Sequence, residues 1–131
     1  MRQIVLDTET TGLEVAEGHR ILEIGCVEML DRKITERHFH YYLQPDREID
    51  EAALAIHGLD QAKLAEQPRF AEIAEAFLAY LAGADEVLIH NAPFDVAFID
   101  HELSLLGASW GQLADHCQIV DTLEMAKRLR P

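Results

Sequence analysis

Three short apolar runs in the first third of the chain predict β-strands. They are rich in Val, Ile, Leu and aromatic residues, and they span residues 4–6, 21–29 and 38–43. The small and polar residues that begin at Asp7 predict that the first strand stops there and opens a turn. A hairpin-like connection at residues 31–33 predicts antiparallel neighbours, so the three strands should form a meander.

Helical periodicity replaces this pattern after residue 50. Asp50 is a candidate N-cap for a short helix, and Gly58 is a candidate stop signal for it. A longer helix is predicted from Pro68 to Gly83, because apolar residues recur there at steps of three and four. The predicted buried stripe of this helix consists of Phe70, Ile73, Ala74, Phe77 and Leu81.

The last third of the chain alternates strands with helices. Residues 87–89 and 119–120 are predicted strands, and a helix between them is predicted to start at Pro93 and to end at Gly107. A capping-box pattern that begins at Asp121 predicts a final helix. This order of elements predicts a single α/β domain with a mixed sheet flanked by helices. The predicted apolar face of the helix after Pro93 carries Phe94, Ala97, Phe98 and Leu105.

Length and composition indicate one folded domain. The chain has 131 residues, of which 49% are hydrophobic and 27% charged, and these values exclude a disordered or collagen-like protein. No apolar run approaches the roughly 18 residues that span a bilayer, and the first run is too short for a signal peptide. We therefore expect a cytoplasmic protein with no membrane partner. Cys26 and Cys117 form no CxxC pair, which predicts reduced structural thiols.

The charge balance restricts the partners further. Eleven Lys and Arg residues stand against 24 Asp and Glu residues, which gives a formal net charge of −13 at pH 7. So acidic a chain argues against broad electrostatic adhesion to nucleic acid or anionic lipid. If the protein acts on a polyanion, another source must supply positive charge.

Two acidic residues follow the first apolar run. Asp7 and Glu9 alternate, and period-two alternation in a strand points both carboxylates to the same face. An isolated pair of this kind is often a pair of solvated turn acids, and that interpretation stays open for the motif alone. The backbone amides of Thr10, Thr11 and Gly12 come next, so the functional interpretation is a hard-metal and phosphate site.

A second acidic element follows the predicted strand at residues 87–89. Asp95 falls in the first turn of the next helix, where the helix dipole favours an acid whatever its function. The functional interpretation is a third carboxylate that a neighbouring strand end delivers towards Asp7 and Glu9. Carboxylates in this arrangement can hold two divalent ions against a phosphodiester.

Together, the runs from Asp7 to Leu13 and from His90 to Asp95 resemble the first and second motifs of the DnaQ-like DEDDh 3′→5′ exonucleases. Within this family the chain is most similar to the proofreading branch associated with bacterial DNA polymerase III, and the similarity covers nearly the whole chain. The resemblance implies a ribonuclease H-like fold and removal of nucleotides from single-stranded DNA 3′ ends. It also implies two partners, the DNA polymerase III catalytic subunit and a small accessory subunit.

The resemblance also implies a metal site. Asp7 would bridge two Mg²⁺ or Mn²⁺ ions, Glu9 would complete one ion site, and Asp95 would support the second ion directly or through water. The ions would activate a water molecule and stabilise the leaving oxygen of the terminal nucleotide. They would also supply the positive charge that this acidic chain lacks.

Three further residues resemble positions in the substrate pocket of the family. The resemblance places Thr10 and His57 at the pocket for the terminal nucleotide, and Leu13 near the terminal base. A cation near the C-terminus of a helix is the alternative interpretation of His57.

The third motif of the family, a His followed by an Asp in an H-x-x-x-x-D pattern on a helix, is not evident after Asp95. His116 and Asp121 have this spacing, but the residues between them are predicted to form a strand. We therefore expect residues 1–131 to be a single exonuclease domain that is C-terminally incomplete. Without the general base of that motif, these residues alone should show little exonuclease activity.

Two alternative functions stay open from the sequence alone. One is an RNA-directed exonuclease of the same superfamily, and the other is a non-catalytic interaction module or fragment of a polymerase assembly. Competition between DNA and RNA substrates distinguishes the DNA exonuclease from the RNA-directed exonuclease. Titration with divalent metal separates an enzyme from a binding module.

Overall fold

The computed structural model describes residues 1–129, and a mixed sheet lies at the centre of this range. Its strands are β1 (Arg2–Thr10), β2 (Ile21–Leu30), β3 (Lys33–Ile34), β4 (Phe39–Tyr42), β5 (Glu86–Ile89) and β6 (Ile119–Asp121). They lie in the order β3-β2-β1-β5-β6, and β4 also pairs with β2. Strand β2 is antiparallel to its partners, whereas β5 runs parallel to β1 and β6. The carboxyl ends of β1, β5 and β6 therefore point to the same edge of the sheet.

Helices connect and flank these strands, as the predicted α/β class requires. They are α1 (Glu51–His57), α2 (Gln61–Leu64), α3 (Phe70–Leu81), α4 (Ala92–Leu106) and α5 (Thr122–Arg128). Gly58 ends α1 with a left-handed φ of 69°, as predicted, whereas α2 is too short to produce a periodic signal. Within residues 1–129, no helix is long and apolar enough to cross a membrane.

Strand β1 is longer than the sequence indicates. The prediction that it stops at Asp7 is wrong, because its backbone pairs with β2 as far as Thr10, with a shift of register after Glu9. Residue preferences for strands are weak, and pairing with a long apolar neighbour overrides them here. Asp7 and Glu9 consequently lie within the sheet and not in a turn.

The predicted antiparallel meander is confirmed. Strand β2 pairs with β1 on one side and with β3 and β4 on the other. Asp31 and Arg32 form the connection between β2 and β3 with positive φ angles of 50° and 69°, the combination that suits a two-residue hairpin turn. The third predicted strand, residues 38–43, corresponds to β4, and the two-residue β3 precedes it in a segment that was not predicted as strand.

Helix α3 covers the inner face of the sheet with the stripe that its periodicity predicts. All five predicted residues are buried, and Tyr80 is buried beside them. Phe77 packs against Phe39 of β4 with ring centroids 5.7 Å apart, and Phe70 lies 6.2 Å from Phe77. Burial of a side chain of this size contributes about 1.5–3 kcal/mol to folding.

The predicted apolar face of α4 is only partly correct. Phe98 is buried, but Ala97 and Leu105 are exposed. The buried side of the helix instead includes two acids, Asp95 and Glu102, and each accepts hydrogen bonds. A hydrophobic periodicity treats Asp and Glu as solvent-facing, so it cannot detect an acid that is buried with a partner.

One ion pair fixes α4 against the start of β2. Glu102 is 1% exposed, and its two oxygens accept hydrogen bonds from Nε and Nη2 of Arg20, both at 2.7 Å. The backbone N–H of Ile21 also donates to Glu102, at 3.3 Å. This bidentate geometry offsets the cost of removing the charges from water. The pair holds α4, and Asp95 in its first turn, in place relative to the sheet.

The two cysteines are free thiols, as predicted. Burial raises the pKa of Cys26 to about 12 and that of Cys117 to about 11. Because the thiolate is the reactive form, both side chains are chemically inert at neutral pH.

Candidate active site

Asp7 and Glu9 lie on the outer face of β1, the face opposite the core. Their neighbours Leu6 and Thr8 are buried on the inner face, so the predicted alternation holds along this strand. Asp7 is exposed and Glu9 is half-buried. In the antiparallel ladder, Glu9 stands directly opposite Glu23 of β2.

Asp95 reaches the same strand from the first turn of α4. Its side chain is 5% exposed, and its Oδ2 accepts a hydrogen bond from the backbone N–H of Thr8 at 3.1 Å. Asn91, which has a left-handed φ of 59°, turns the chain between β5 and α4 and so aims this first turn at β1. Thr8 separates Asp7 from Glu9 in sequence, so the structure brings Asp95 to the backbone between the other two acids.

Burial and neighbouring charge raise the pKa of Asp95 to about 6. Burial is the largest cause and the negative charge of Asp7 is the next, while the hydrogen bond from the backbone N–H of Thr8 opposes them. The pKa of Glu9 is raised in the same way, first by burial and then by the charge of Asp7, with His57 acting in the opposite direction. The carboxylates therefore create an unfavourable negative potential, which a cation would relieve.

The donor atoms suit a hard divalent ion in their chemistry. Asp7, Glu9 and Asp95 offer carboxylate oxygens, which are the ligands that Mg²⁺ and Mn²⁺ prefer. In the part of the chain that the structure describes, no three His, Cys, Asp or Glu side chains form a closed ligand set for a metal ion. Sharing of divalent ions by the three acids therefore stays a prediction.

A pocket of about 360 Å³ opens beside Glu9, and we call it the α1 pocket. Residues 12–14, which follow β1, form its first wall, and helix α1 forms the second wall with residues that include Ala53 and Ile56. Phe94 of α4 also lines the pocket. The volume falls within the roughly 300–1,000 Å³ that small-molecule sites occupy.

The three predicted pocket residues all line the α1 pocket. Leu13 is 77% exposed, so its apolar surface is available to a ligand. The hydroxyl of Thr10 donates to the carbonyl of Gly12 at 2.7 Å and shapes the turn after β1. His57 donates from Nε2 to the carbonyl of Thr10 at 3.2 Å, and its Nδ1 accepts from the N–H of Leu59 at 3.0 Å. His57 therefore ties the end of α1 to the end of β1.

Two features of the site have no signal in the sequence. Glu23 faces Glu9 only because of the register between β1 and β2, and it bonds to Nε2 of His40 at 2.6 Å. The hydroxyl of Thr8 is buried and has no hydrogen-bond partner among the described residues. A known strand register would predict that Glu23 faces Glu9. The sequence alone does not give that register, because it depends on which faces of the strands are buried in the fold.

His116 and Asp121 serve local structure. Strand β6 occupies Ile119–Asp121, which confirms the predicted strand between them. Oδ1 of Asp121 accepts hydrogen bonds from the N–H of Asn91 and of Leu123, so the predicted N-cap of α5 is also confirmed. Nε2 of His116 donates to the carbonyl of Trp110 at 2.6 Å.

Comparison with known proteins defines the class. The chain belongs to the exonuclease family, because the family model described as Exonuclease matches residues 4–131. DNA polymerase III subunit epsilon of Pasteurella multocida is 48% identical over 99% of this chain and 52% of its own length. The same subunit is 46% identical in Escherichia coli, over 99% and 55%, and 44% identical in Rickettsia prowazekii, over 100% and 57%. The predicted family and its polymerase III branch are thus confirmed, and the chain spans about half the length of the curated relatives it matches.

Solved structures confirm the predicted ribonuclease H-like fold. A structure of exonuclease X in complex with 5′ overhanging duplex DNA has a TM-score of 0.75 at 27% identity, covering 98% of this chain and 64% of that chain. Exonuclease I in its apo form has a TM-score of 0.80 at 16% identity, covering 96% and 30%. The second likeness shows the fold alone.

Proposed function

We propose that this chain forms the core of a metal-dependent 3′→5′ exonuclease that removes nucleotides from single-stranded DNA 3′ ends in polymerase proofreading. The observation that carries the proposal is the hydrogen bond from the backbone N–H of Thr8 to Asp95, which joins a third acid to the strand residue that separates Asp7 from Glu9. A ligand-sized pocket lies beside Glu9. Membership of the exonuclease family and the names of the relatives support the same activity.

Two divalent cations, Mg²⁺ or Mn²⁺, are the proposed cofactors. Asp7, Glu9 and Asp95 would hold them, with Asp7 shared between the two ions. Bound divalent ions supply positive charge to a phosphodiester and lower the pKa of a water molecule. The raised pKa values of Asp95 and Glu9 support this assignment, because burial, and after it the charge of Asp7, disfavours the ionised carboxylates that a bound cation would stabilise.

The α1 pocket is the proposed site of the 3′-terminal nucleotide. Leu13 and Ile56 are 77% and 81% exposed, so apolar side chains flank the opening and offer surfaces on which a base can pack. Thr10 and His57 also line the pocket, and their hydrogen bond joins the end of β1 to the end of α1. No Lys or Arg of the described chain lines the pocket, and we assign the positive charge that a phosphate needs to the proposed ions.

Residues 1–131 are proposed to supply the first two motifs of a single exonuclease domain. The His and the fourth carboxylate of the third motif would come from outside these residues. The DNA polymerase III catalytic subunit and a small accessory subunit are the proposed protein partners, and the cytoplasm is the proposed location. The support for these assignments is the naming of the relatives as polymerase III subunits.

Release of mononucleotides from labelled single-stranded DNA tests the proposed activity. The protein at its full natural length should release them with Mg²⁺ or Mn²⁺ and should stop when EDTA is added, and DNA should compete better than RNA. Asp95→Asn should lose release, whereas Glu75→Gln, an equal change of charge on the exposed side of α3, should retain it. Release that survives EDTA, or full activity of Asp95→Asn, would contradict the proposal.

The same assay on residues 1–131 alone tests the assignment of the third motif. Loss of a general base typically lowers a rate by about 10²–10⁴-fold, and loss of a metal ligand adds to this. A verified fragment that digests DNA as fast as the full-length protein would show that residues 1–131 contain the complete site.

A further inference from the structure

His19 occupies the junction between the two walls of the α1 pocket. The side chain is buried, and it belongs to the segment that connects β1 to β2. Its Nδ1 lies 2.8 Å from the hydroxyl of Thr11, at the start of the first wall. Its Nε2 lies 3.3 Å from a carboxylate oxygen of Asp50, at the start of α1, and 3.7 Å from one of Glu17.

The hydrogen bonds around His19 have a defined direction. The backbone N–H of Arg20 donates to the hydroxyl oxygen of Thr11 at 3.0 Å, which leaves the hydroxyl proton free to point at Nδ1 of His19. On the other side of the ring, Nε2 faces carboxylates, which only accept, so this nitrogen carries the proton in the neutral ring. A chain of polar contacts, which we call the donor chain, therefore runs from Thr11 through His19 to Asp50, with a hydrogen bond at the Thr11 end and a 3.3 Å contact at the Asp50 end.

A backbone bond joins the same two walls beside the ring. The N–H of Asp50 donates to the carbonyl of Thr11 at 2.9 Å. Thr11 is thus linked to the start of α1 twice, once directly and once through His19. The imidazole therefore lies between the two walls, next to the backbone bond that joins them.

Gly12 lies directly against the imidazole. A Cβ at Gly12 would come within 2.3 Å of the ring of His19, a distance that no side chain tolerates. Gly12 also lines the α1 pocket, and the exposed Leu13 follows it. The ring therefore supports the back of the first wall, and a smaller side chain at position 19 would leave that wall unsupported.

We propose that His19 is a positioning residue that sets the spacing between the two walls of the α1 pocket and thereby the affinity for the terminal nucleotide. This inference rests on the proposed function, which assigns the pocket to that nucleotide. The polar contacts of His19 are with Thr11, Glu17 and Asp50, and not with Asp7, Glu9 or Asp95. Loss of His19 should therefore weaken binding and raise KM, with a much smaller change in kcat.

Three variants of the full-length protein test each end of the donor chain. His19→Asn keeps an acceptor for Thr11 but is too short to reach Asp50. Thr11→Val removes the hydroxyl that bonds both to His19 and to the N–H of Arg20, and Thr11→Ser retains it. The probe is dTMP, a product-like mononucleotide, with its Kd measured by calorimetry beside KM and kcat on single-stranded DNA. His19→Asn and Thr11→Val should raise Kd and KM about tenfold, the equivalent of one hydrogen bond, and Thr11→Ser should resemble the wild type.

A core variant separates positioning from general destabilisation. Ile73→Val removes a methyl group from the buried stripe of α3, outside the pocket lining, and should leave Kd and KM unchanged. If the wild type neither binds dTMP nor digests DNA, the proposed function fails. If the wild type does both, and folded His19→Asn and Thr11→Val keep its Kd and KM, the positioning role of His19 is wrong. Should His19→Asn fail to fold, the isosteric Thr11→Val decides the question.

Discussion

Replacement of Asp95 by Asn should stabilise the metal-free protein at neutral and alkaline pH. Asn has almost the same shape as Asp, and its Oδ1 can still accept the hydrogen bond from the N–H of Thr8. The substitution removes the negative charge of a residue that is only 5% exposed and whose carboxylate is repelled by that of Asp7. Removal of such a charge relieves both desolvation and repulsion.

The magnitude follows from the pKa of Asp95. Burial and the charge of Asp7 raise this pKa from 3.8 to about 6, a difference that corresponds to about 3 kcal/mol of folding free energy. The folded protein holds this proton more tightly than the unfolded chain, so wild-type stability falls as the pH rises from about 4 to about 6. The variant lacks the titrating group. Its advantage is therefore small below about pH 4 and complete above about pH 7.

Urea denaturation in EDTA, repeated between pH 5 and pH 8, measures this effect. The difference in free energy of unfolding should grow with pH and approach about 3 kcal/mol at pH 8. Glu75→Gln on the exposed side of α3 measures the effect of removing one negative charge from the protein. Equal stability of wild type and Asp95→Asn at pH 8, or a difference that is constant with pH, would refute the reasoning. Addition of Mg²⁺ should reduce the difference, because the wild type offers the more complete ligand set.

Three more substitutions have defined outcomes. In the full-length protein, Asp7→Ala should abolish metal-dependent release of 3′ nucleotides while the circular dichroism spectrum stays native, and retained release at saturating Mg²⁺ would place the chemistry elsewhere. Gly12→Ala should lower the free energy of unfolding by roughly 1–3 kcal/mol, because its Cβ collides with His19; an unchanged urea midpoint would contradict this. Arg20→Ala leaves Glu102 buried without its partner and should cost about 3 kcal/mol in urea denaturation, the low end for such pairs because Arg20 is a quarter exposed. A cost below about 1 kcal/mol would mean that water reaches Glu102.

Elements with strong periodic patterns were predictable from the sequence. Elements whose burial or extent depends on contacts with distant parts of the chain were not. The stripe of α3 is apolar throughout, and its prediction is confirmed residue by residue. In α4 the same reasoning failed, because Asp95 and Glu102 are buried by virtue of partners on other elements. The end of β1 was misplaced for a related reason, since pairing with β2 keeps Asp7 and Glu9 extended.

The local chemistry of the candidate site follows from short stretches of the chain. The alternation of Asp7 and Glu9 places both on one face of a strand, and the start of α4 puts Asp95 in a first helical turn. These features depend on a few consecutive residues, and their spacing carries the resemblance to the exonuclease motifs.

Tertiary structure alone decided how these pieces meet. The hydrogen bond from Thr8 to Asp95 joins residues 87 positions apart, and the pair of Arg20 with Glu102 joins residues 82 apart. The placement of Glu23 opposite Glu9 depends on strand register. Strand register and packing depend on which side chains are buried when the sheet folds. The order of residues along the chain does not show which side chains those are.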